Sequence, residues 1–348
     1  MKAINGYIKK VRLYRKAGSI SESMEACLEA MARFPDSFDL LYEYAALLHA
    51  GRQYSKECGI LEGLLSMEQD KRLAQDSPEA RSFYLSLCKS YLMAKKYAEF
   101  EALSEVARHK FTIPAAPFHV DKTFELVINK KGAPLIILFQ GFKLGVIKQY
   151  FSISEPEDIK SLNISGLPYA FQGFSRECGD YNYLFVKDNY QSWYLLNFDG
   201  YVKYMRNVID ESDAPRVACV GFSSGGFGAI VLGQAINADI SIGMSPQTIA
   251  FEVFSNPYNR KLNKLFMLSL NQYSDLAALQ AREGGFGRKV AIYVCERKKG
   301  DYEQVMRLEQ GDANLKIDFL KCGNHMVASF LGKKALFEKL FADIAAAF

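Results

Sequence analysis

A chain of 348 residues exceeds the ordinary size of one domain, so two are expected. Its 49% apolar and 24% charged residues are those of a folded globular protein, and a net charge of +4 does not call for a polyanionic partner. No run approaches the roughly 18 apolar residues of a membrane span, and Lys2, Lys9, Lys10, Arg12, Arg15 and Lys16 interrupt any apolar stretch that an export signal would need.

Residues 1–112 read as an all-α domain. Apolar positions recur at three- and four-residue spacing in Met24-Leu28-Met31, Leu40-Leu41-Tyr44-Leu47-Leu48 and Leu85-Cys88-Tyr91-Leu92. Pro35-Asp36-Ser37 breaks one helix and offers a cap for the next. The turn at Ala17-Gly18-Ser19 returns at Ala50-Gly51-Arg52-Gln53 and more loosely at Ala94-Lys95-Lys96, at intervals of 33 and 44 residues. These intervals and the helical hairpins they imply resemble a short tetratricopeptide-like array. Such an array implies a surface for a protein partner. Packing as an accessory domain, or self-association through residues 1–112, is the other reading.

Near Phe111, Pro114 and Pro117 the rhythm changes, and 113–348 is expected to form an α/β domain. Short β-rich runs occur at Phe124-Ile128, Leu135-Phe139, Tyr183-Val186, Arg216-Val220, Ile240-Ile242, Val290-Val294 and Leu315-Leu320. Helical patterns lie between and after them, at Tyr201-Ile209, Gly226-Ala235 and Leu336-Ala347. Several of the runs are continuously apolar, as strands buried on both faces must be. The alternation predicts a mainly parallel sheet with helices on both faces. The seven cysteines, at 27, 58, 88, 178, 219, 295 and 322, are odd in number and contain no Cys-x-x-Cys. They argue against a disulfide scaffold or a zinc site and for a reducing, cytoplasmic environment.

The chemistry concentrates where the strand Arg216-Val220 runs into Gly221-Phe222-Ser223-Ser224-Gly225 and then a helix. This is the Gly-x-Ser-x-Gly nucleophile elbow in its strand–turn–helix context. Ser223, with glycine two residues to either side, is the candidate nucleophile in preference to Ser224. A serine hydroxyl needs a base, and of the four histidines only His325 follows the elbow; it sits just past the last predicted strand. The acid that orients it is expected on the loop after Val290-Cys295, where Asp301 is preferred, after a glycine that lets the loop turn back, and Glu296 is the alternative. For the oxyanion hole, backbone N–H groups of Ser224 and of the Gln140-Gly141-Phe142 loop are the candidates, Phe142 ahead of Gly141.

These residues resemble the α/β-hydrolase superfamily over roughly 115–348. Gly221–Ala229, Met244-Ser-Pro-Gln247, Gly300-Asp-Tyr302, Gly323-Asn-His325 and Lys187–Tyr194 are similar to one subgroup, that of capsular-polysaccharide O-acetyltransferases and related surface-glycan proteins. The resemblance implies acyl transfer through an acyl-serine, with acetyl-CoA as donor and a carbohydrate hydroxyl as acceptor. Hydrolysis of an acyl ester uses the same machinery. Tyr150, Phe151, Tyr169, Trp193, Tyr194, Phe251 and Phe254 are candidates for stacking on sugar rings, and Lys143, Arg176, Arg260, Lys261 and Lys264 for attracting an anionic glycan or CoA phosphates. No bound cofactor, metal site or nucleic-acid motif is expected. A non-catalytic scaffold that works through its helices is the competing class of answer.

Overall fold

The computed structural model describes residues 2–68, 72, 73, 75–111, 118–141, 169–190, 192–250 and 271–348. These fall into two compact units, 2–111 and the described residues from 118 onward. The expected junction at 112 and 113 lies outside the described residues.

Among its described residues the first unit holds six helices: α1 (Lys2–Lys16), α2 (Ile20–Arg33), α3 (Phe38–Ala50), α4 (Tyr54–Glu68), α5 (Pro78–Met93) and α6 (Tyr97–Lys110). Ser37 does cap α3, its hydroxyl accepting from Leu40 N, and Ser77 caps α5 ahead of Pro78. The recurring turns share one geometry. Gly18, Arg52 and Lys95 all have positive φ, of 81°, 58° and 58°. The following N–H returns to a carbonyl five residues back, as Ser19 to Tyr14, Gln53 to Leu48 and Lys96 to Tyr91. That is the Schellman closure, which stops a helix and reverses the chain. Only the first copy carries the glycine this conformation favours. Between the helices, Val11, Ala26, Cys27 and Leu47 form one cluster and Ile8, Ala30 and Leu40 another. The carboxylate of buried Glu43 is held by Arg12 at 2.5 Å and Arg15 at 3.0 Å.

Among its described residues the second unit is built on a seven-stranded sheet: β1 (Phe124–Val127), β2 (Leu135–Phe139), β3 (Asn182–Val186), β4 (Val217–Phe222), β5 (Ile240–Met244), β6 (Lys289–Cys295) and β7 (Leu315–Leu320). Their order is β1-β3-β2-β4-β5-β6-β7, and every neighbouring pair is parallel except β1 with β3. Helices α7 (Val120–Thr123), α8 (Phe198–Ser212), α9 (Ser224–Ala235), α10 (Leu276–Glu283), α11 (Lys299–Val305), α12 (Val327–Leu331) and α13 (Lys333–Ala347) accompany it.

Alternate strand residues serve opposite faces. Ile136, Leu138, Ala218, Val220, Ile242 and Tyr293 meet Leu336, Phe337, Leu340 and Ile344 of α13. On the other face α9 lies close against Cys219 and Ser241, where a Cβ on Gly233 would collide with the Ser241 hydroxyl. Because β3 lies to one side of β2 and β4 to the other, the chain reverses its progress across the sheet between β2 and β4. The carboxyl ends of those two strands therefore open a crevice, the usual place for a ligand in an open α/β sheet.

The cysteines depart from the sequence expectation. Cys295 and Cys322 are joined in a disulfide, their Cα atoms 4.9 Å apart. They stand 27 residues apart in sequence, with no motif between them. Parallel pairing sets Cys295 opposite Leu320 and so brings Cys322 alongside. One ground for expecting a reducing environment is thereby removed. Among the described residues no helix is long and apolar enough to cross a membrane.

Candidate active site

β4 ends at Phe222, and α9 begins at Ser224. Ser223 stands alone at the junction with φ 55° and ψ −121°, a region that ordinary residues avoid and that costs of order 1–3 kcal/mol to hold. Its N–H donates to Met244 O on β5 at 2.9 Å, which ties the elbow to the next strand. The flanking glycines are sterically required. A Cβ on Gly221 would overlap the carbonyl of Gly225, and one on Gly225 would lie 2.5 Å from Phe139 O and 2.8 Å from the carbonyl carbon of Gln140. The elbow can thus close only with hydrogen at both positions, and it seats the start of α9 against the end of β2.

The structure brings together three of the predicted residues. Ser223 Oγ lies 3.0 Å from His325 Nε2. His325 Nδ1 lies 2.7 Å from Asp301 Oδ2. A carboxylate only accepts, so Nδ1 carries the proton and donates it to Asp301; Nε2 is left to accept from the serine hydroxyl. The serine is buried, while the imidazole side chain is 30% exposed and opens the group to the surface. Phe222 packs its ring against the imidazole, centroids 5.0 Å apart. The x position of the elbow motif carries no chemical signal, so only the fold reveals that contact.

Asp301 departs from the expected setting. It stands in the first turn of α11 rather than on an open loop, and Gly300 is a helical residue with no left-handed turn. Helical geometry aims the carboxylate at the imidazole. Glu296, the alternative acid, is exposed at the end of β6, and its backbone N–H pairs with Leu320 O. Asp318, a carboxylate within β7, pairs with Lys339 at 2.6 Å.

Ser224 is the first residue of α9, where helix N–H groups have no partner within the helix and the dipole favours negative charge. Gly141 follows the end of β2 so closely that a Cβ there would lie 2.7 Å from Phe222 O. Phe142, the other candidate donor, lies outside the described residues. Neighbouring side chains hold this turn. The Tyr194 hydroxyl donates to Gln140 O at 2.6 Å, and the Tyr194 backbone N–H donates to buried Asp188 at 3.0 Å. Asp188 also accepts from the Ser192 hydroxyl and from Tyr190 N. Burial pushes its carboxyl up to about 6 against the pull of those donors.

Trp193 and Tyr194 correct an expectation. Both are fully buried, at φ 56° and 64°, with the Trp193 indole N–H donating to Gln247 at 2.7 Å, so neither offers a face to a sugar. Tyr169 lies beneath the Lys187 ammonium, 3.8 Å from its ring centroid. Tyr150, Phe151, Phe251, Phe254, Lys143, Arg260, Lys261 and Lys264 fall outside the described residues, as does the Arg176 side chain. Among the described residues no group of three side chains is arranged to hold a metal ion.

No protein-family model matches the chain, and no curated protein does. Solved structures do. The capsule O-acetyltransferase of Neisseria meningitidis serogroup A, in a CoA complex of a variant, is similar at 16% identity over 65% of this chain and 93% of that one, with a TM-score of 0.47. The Staphylococcus aureus fluorophosphonate-binding serine hydrolase F is similar at 12% identity, over 67% of this chain and 88% of that one, with a TM-score of 0.42. An S-formylglutathione hydrolase from Agrobacterium tumefaciens is similar at 11% identity, over 64% and 89%, with a TM-score of 0.40. With its strand order, antiparallel edge and serine-bearing elbow, the second unit has the α/β-hydrolase fold.

Proposed function

We propose that the chain is an acyl-transfer enzyme in which Ser223 is the nucleophile, His325 its general base and Asp301 the carboxylate that orients the base. The observation that carries this reading is the continuous chain of hydrogen bonds, 3.0 Å from Ser223 to His325 and 2.7 Å from His325 to Asp301. The strained backbone of Ser223 favours it over a non-catalytic scaffold, which has no use for that conformation.

Ser223 Oγ attacks the acyl carbonyl while its proton passes to His325 Nε2, and Asp301 stabilises the imidazolium that forms. The backbone N–H groups assigned to the developing oxyanion are those of Ser224, Phe142 and Gly141. Collapse expels the leaving group, which takes the proton from His325. An acceptor hydroxyl then gives its proton to His325 as it attacks the acyl-serine. Collapse of this second intermediate releases the acyl product and returns that proton to Ser223 Oγ, regenerating the enzyme. The segments shared with the surface-glycan subgroup favour acetyl-CoA as donor and a hydroxyl of a capsular or related surface polysaccharide as acceptor, with the donor supply placing the reaction in the cytoplasm. With water as acceptor the same intermediate makes the enzyme an esterase. Residues 1–112 are assigned to a protein partner or a second copy.

The test compares wild type with Ser223→Ala, using a fluorophosphonate probe and a chromogenic acetyl ester, with and without acetyl-CoA and a glycan. Labelling at Ser223 and turnover in wild type only are expected, with acetylated glycan formed faster than free acetate. Failure of wild type to label or turn over any ester overturns the reading. Release of acetate alone assigns hydrolysis.

A further inference from the structure

The disulfide joins the two segments that carry the acid and the base. Cys295 is the last residue of β6, and Cys322 lies two residues beyond β7. Asp301 follows the first by six residues, and His325 follows the second by three. At the same point Glu296 N donates to Leu320 O and Arg297 N to Cys322 O, both at 3.0 Å. Past Arg297 no backbone hydrogen bond joins the two segments among the described residues. The next bond between them is the 2.7 Å contact of His325 with Asp301. The disulfide therefore sits where the two segments part, and the direction each takes decides whether carboxylate and imidazole meet.

We propose that Cys295–Cys322 is a covalent positioning clamp for the Asp301–His325 pair, so that acyl transfer runs at full rate only while the bond is intact. This rests on the catalytic roles proposed above. The sulfurs are placed to persist. Cys295 is fully buried and Cys322 is 6% exposed, which limits access by an attacking thiolate. Burial also raises the thiols of Cys27, Cys58 and Cys88 to about 12, and it raises Cys219 as well, so these cysteines stay protonated and do not reshuffle with the pair.

Opening the clamp takes two electrons. One thiol of a small dithiol attacks one sulfur and releases the other cysteine, leaving a mixed disulfide. The reagent's second thiol then attacks its own first sulfur and releases the remaining cysteine. The reagent leaves as a cyclic disulfide, and Cys295 and Cys322 each end as a thiol bearing one of the reagent's protons. The opened protein keeps β6 and β7 paired, but the two loops are free to shift. A displacement of about 1 Å at reacting groups costs on the order of 10²-fold in rate.

Three measurements on the full chain test this. Mass spectrometry of an unreduced digest is expected to yield the peptide pair linked through Cys295 and Cys322; finding both cysteines free overturns the proposal. Dithiol-reduced wild type and the variant Cys295→Ser/Cys322→Ser, each shown folded by circular dichroism, are expected to lose roughly 10- to 100-fold in kcat with KM within about twofold. Asp301→Asn is then introduced into both backgrounds. A clamp acting through Asp301 makes the two losses overlap; losses that simply multiply mean that the disulfide only stabilises the fold, and the proposal fails. The third readout is the far-downfield NMR signal of the imidazole N–H donated to Asp301, expected in the oxidised protein and lost on reduction. It does not depend on turnover. A signal unchanged by reduction sinks the clamp, whereas a responsive signal in a protein whose Ser223 is unreactive leaves the clamp standing and removes the assigned reaction.

Discussion

Replacing Asp301 by asparagine tests the site at the point where the sequence left two acids open. The carboxylate accepts from His325 Nδ1 at 2.7 Å, and that bond leaves Nε2 free to take the serine proton across 3.0 Å. A carboxamide can present its own N–H₂ to Nδ1. The imidazole then carries its proton on Nε2, facing a serine that it can no longer deprotonate. The substitution also removes the negative charge beside the imidazolium. With side-chain exposures of 30% and 13%, the pair is partly screened, and two unit charges about 4 Å apart at an effective dielectric of about 20 attract by about 4 kcal/mol. In the Ser-His-Asp template the same change lowers kcat about 10⁴-fold, or about 5.4 kcal/mol at 1.36 per decade. Asp301→Asn is therefore expected to lower kcat on a chromogenic acetyl ester by about 10³ to 10⁴ with little change in KM. Glu296→Gln, measured alongside, is expected to stay within about twofold of wild type. An Asp301→Asn enzyme that keeps more than about a tenth of wild-type kcat, or a Glu296→Gln enzyme that loses as much as Asp301→Asn, refutes the assignment.

Other elements carry predictions of their own. Gly225→Ala places a methyl 2.5 Å from the backbone oxygen of Phe139 and should cost about 1–3 kcal/mol in urea unfolding, with a larger proportional loss of Ser223 labelling; an unperturbed protein would mean that β2 can yield. Arg307 holds the fully buried Asp275 at 2.5 Å. Arg307→Met should destabilise by about 3–5 kcal/mol, and the double change Arg307→Met/Asp275→Asn should recover much of that; an equally unstable double variant would show that packing, not the stranded charge, is lost. Asp188 titrates at about 6 in the folded protein, above the ordinary carboxylate value, so its contribution to stability is full below about pH 4 and is lost as pH rises through 6. Relative to Asp188→Asn, wild type should lose roughly 3 kcal/mol of unfolding free energy between pH 4 and 7. A difference that stays flat across that window contradicts the buried titration.

Local order and covalent chemistry are written in short stretches of the sequence. The apolar runs of β2, β4 and β6 could only be strands buried on both faces. Gly221-Phe222-Ser223-Ser224-Gly225, between an apolar strand and a helix, read as a tight turn, and the structure shows that no Cβ fits at either glycine. That spacing named Ser223 as a candidate nucleophile, the place after the last strand named His325 as its base, and the structure sets the two side chains 3.0 Å apart. The Schellman turns were visible as a repeat even though Arg52 and Lys95 stand where glycine is easiest.

What depends on two distant segments arriving together had no such signal. Whether Asp301 or Glu296 meets the imidazole follows from the short helix α11, whose first turn aims one carboxylate inward while the end of β6 leaves the other in water. Trp193 and Tyr194 look like sugar platforms by composition, but the left-handed bend of their loop turns both into the core. The disulfide is the clearest case. Cysteines 27 residues apart carry no spacing rule, and only the parallel register of β6 with β7 sets their Cα atoms 4.9 Å apart. Residue type and local spacing determined which groups can do chemistry; the crossing of strands and loops decided which of them meet, because that distance is set by the whole sheet and by no single stretch of chain.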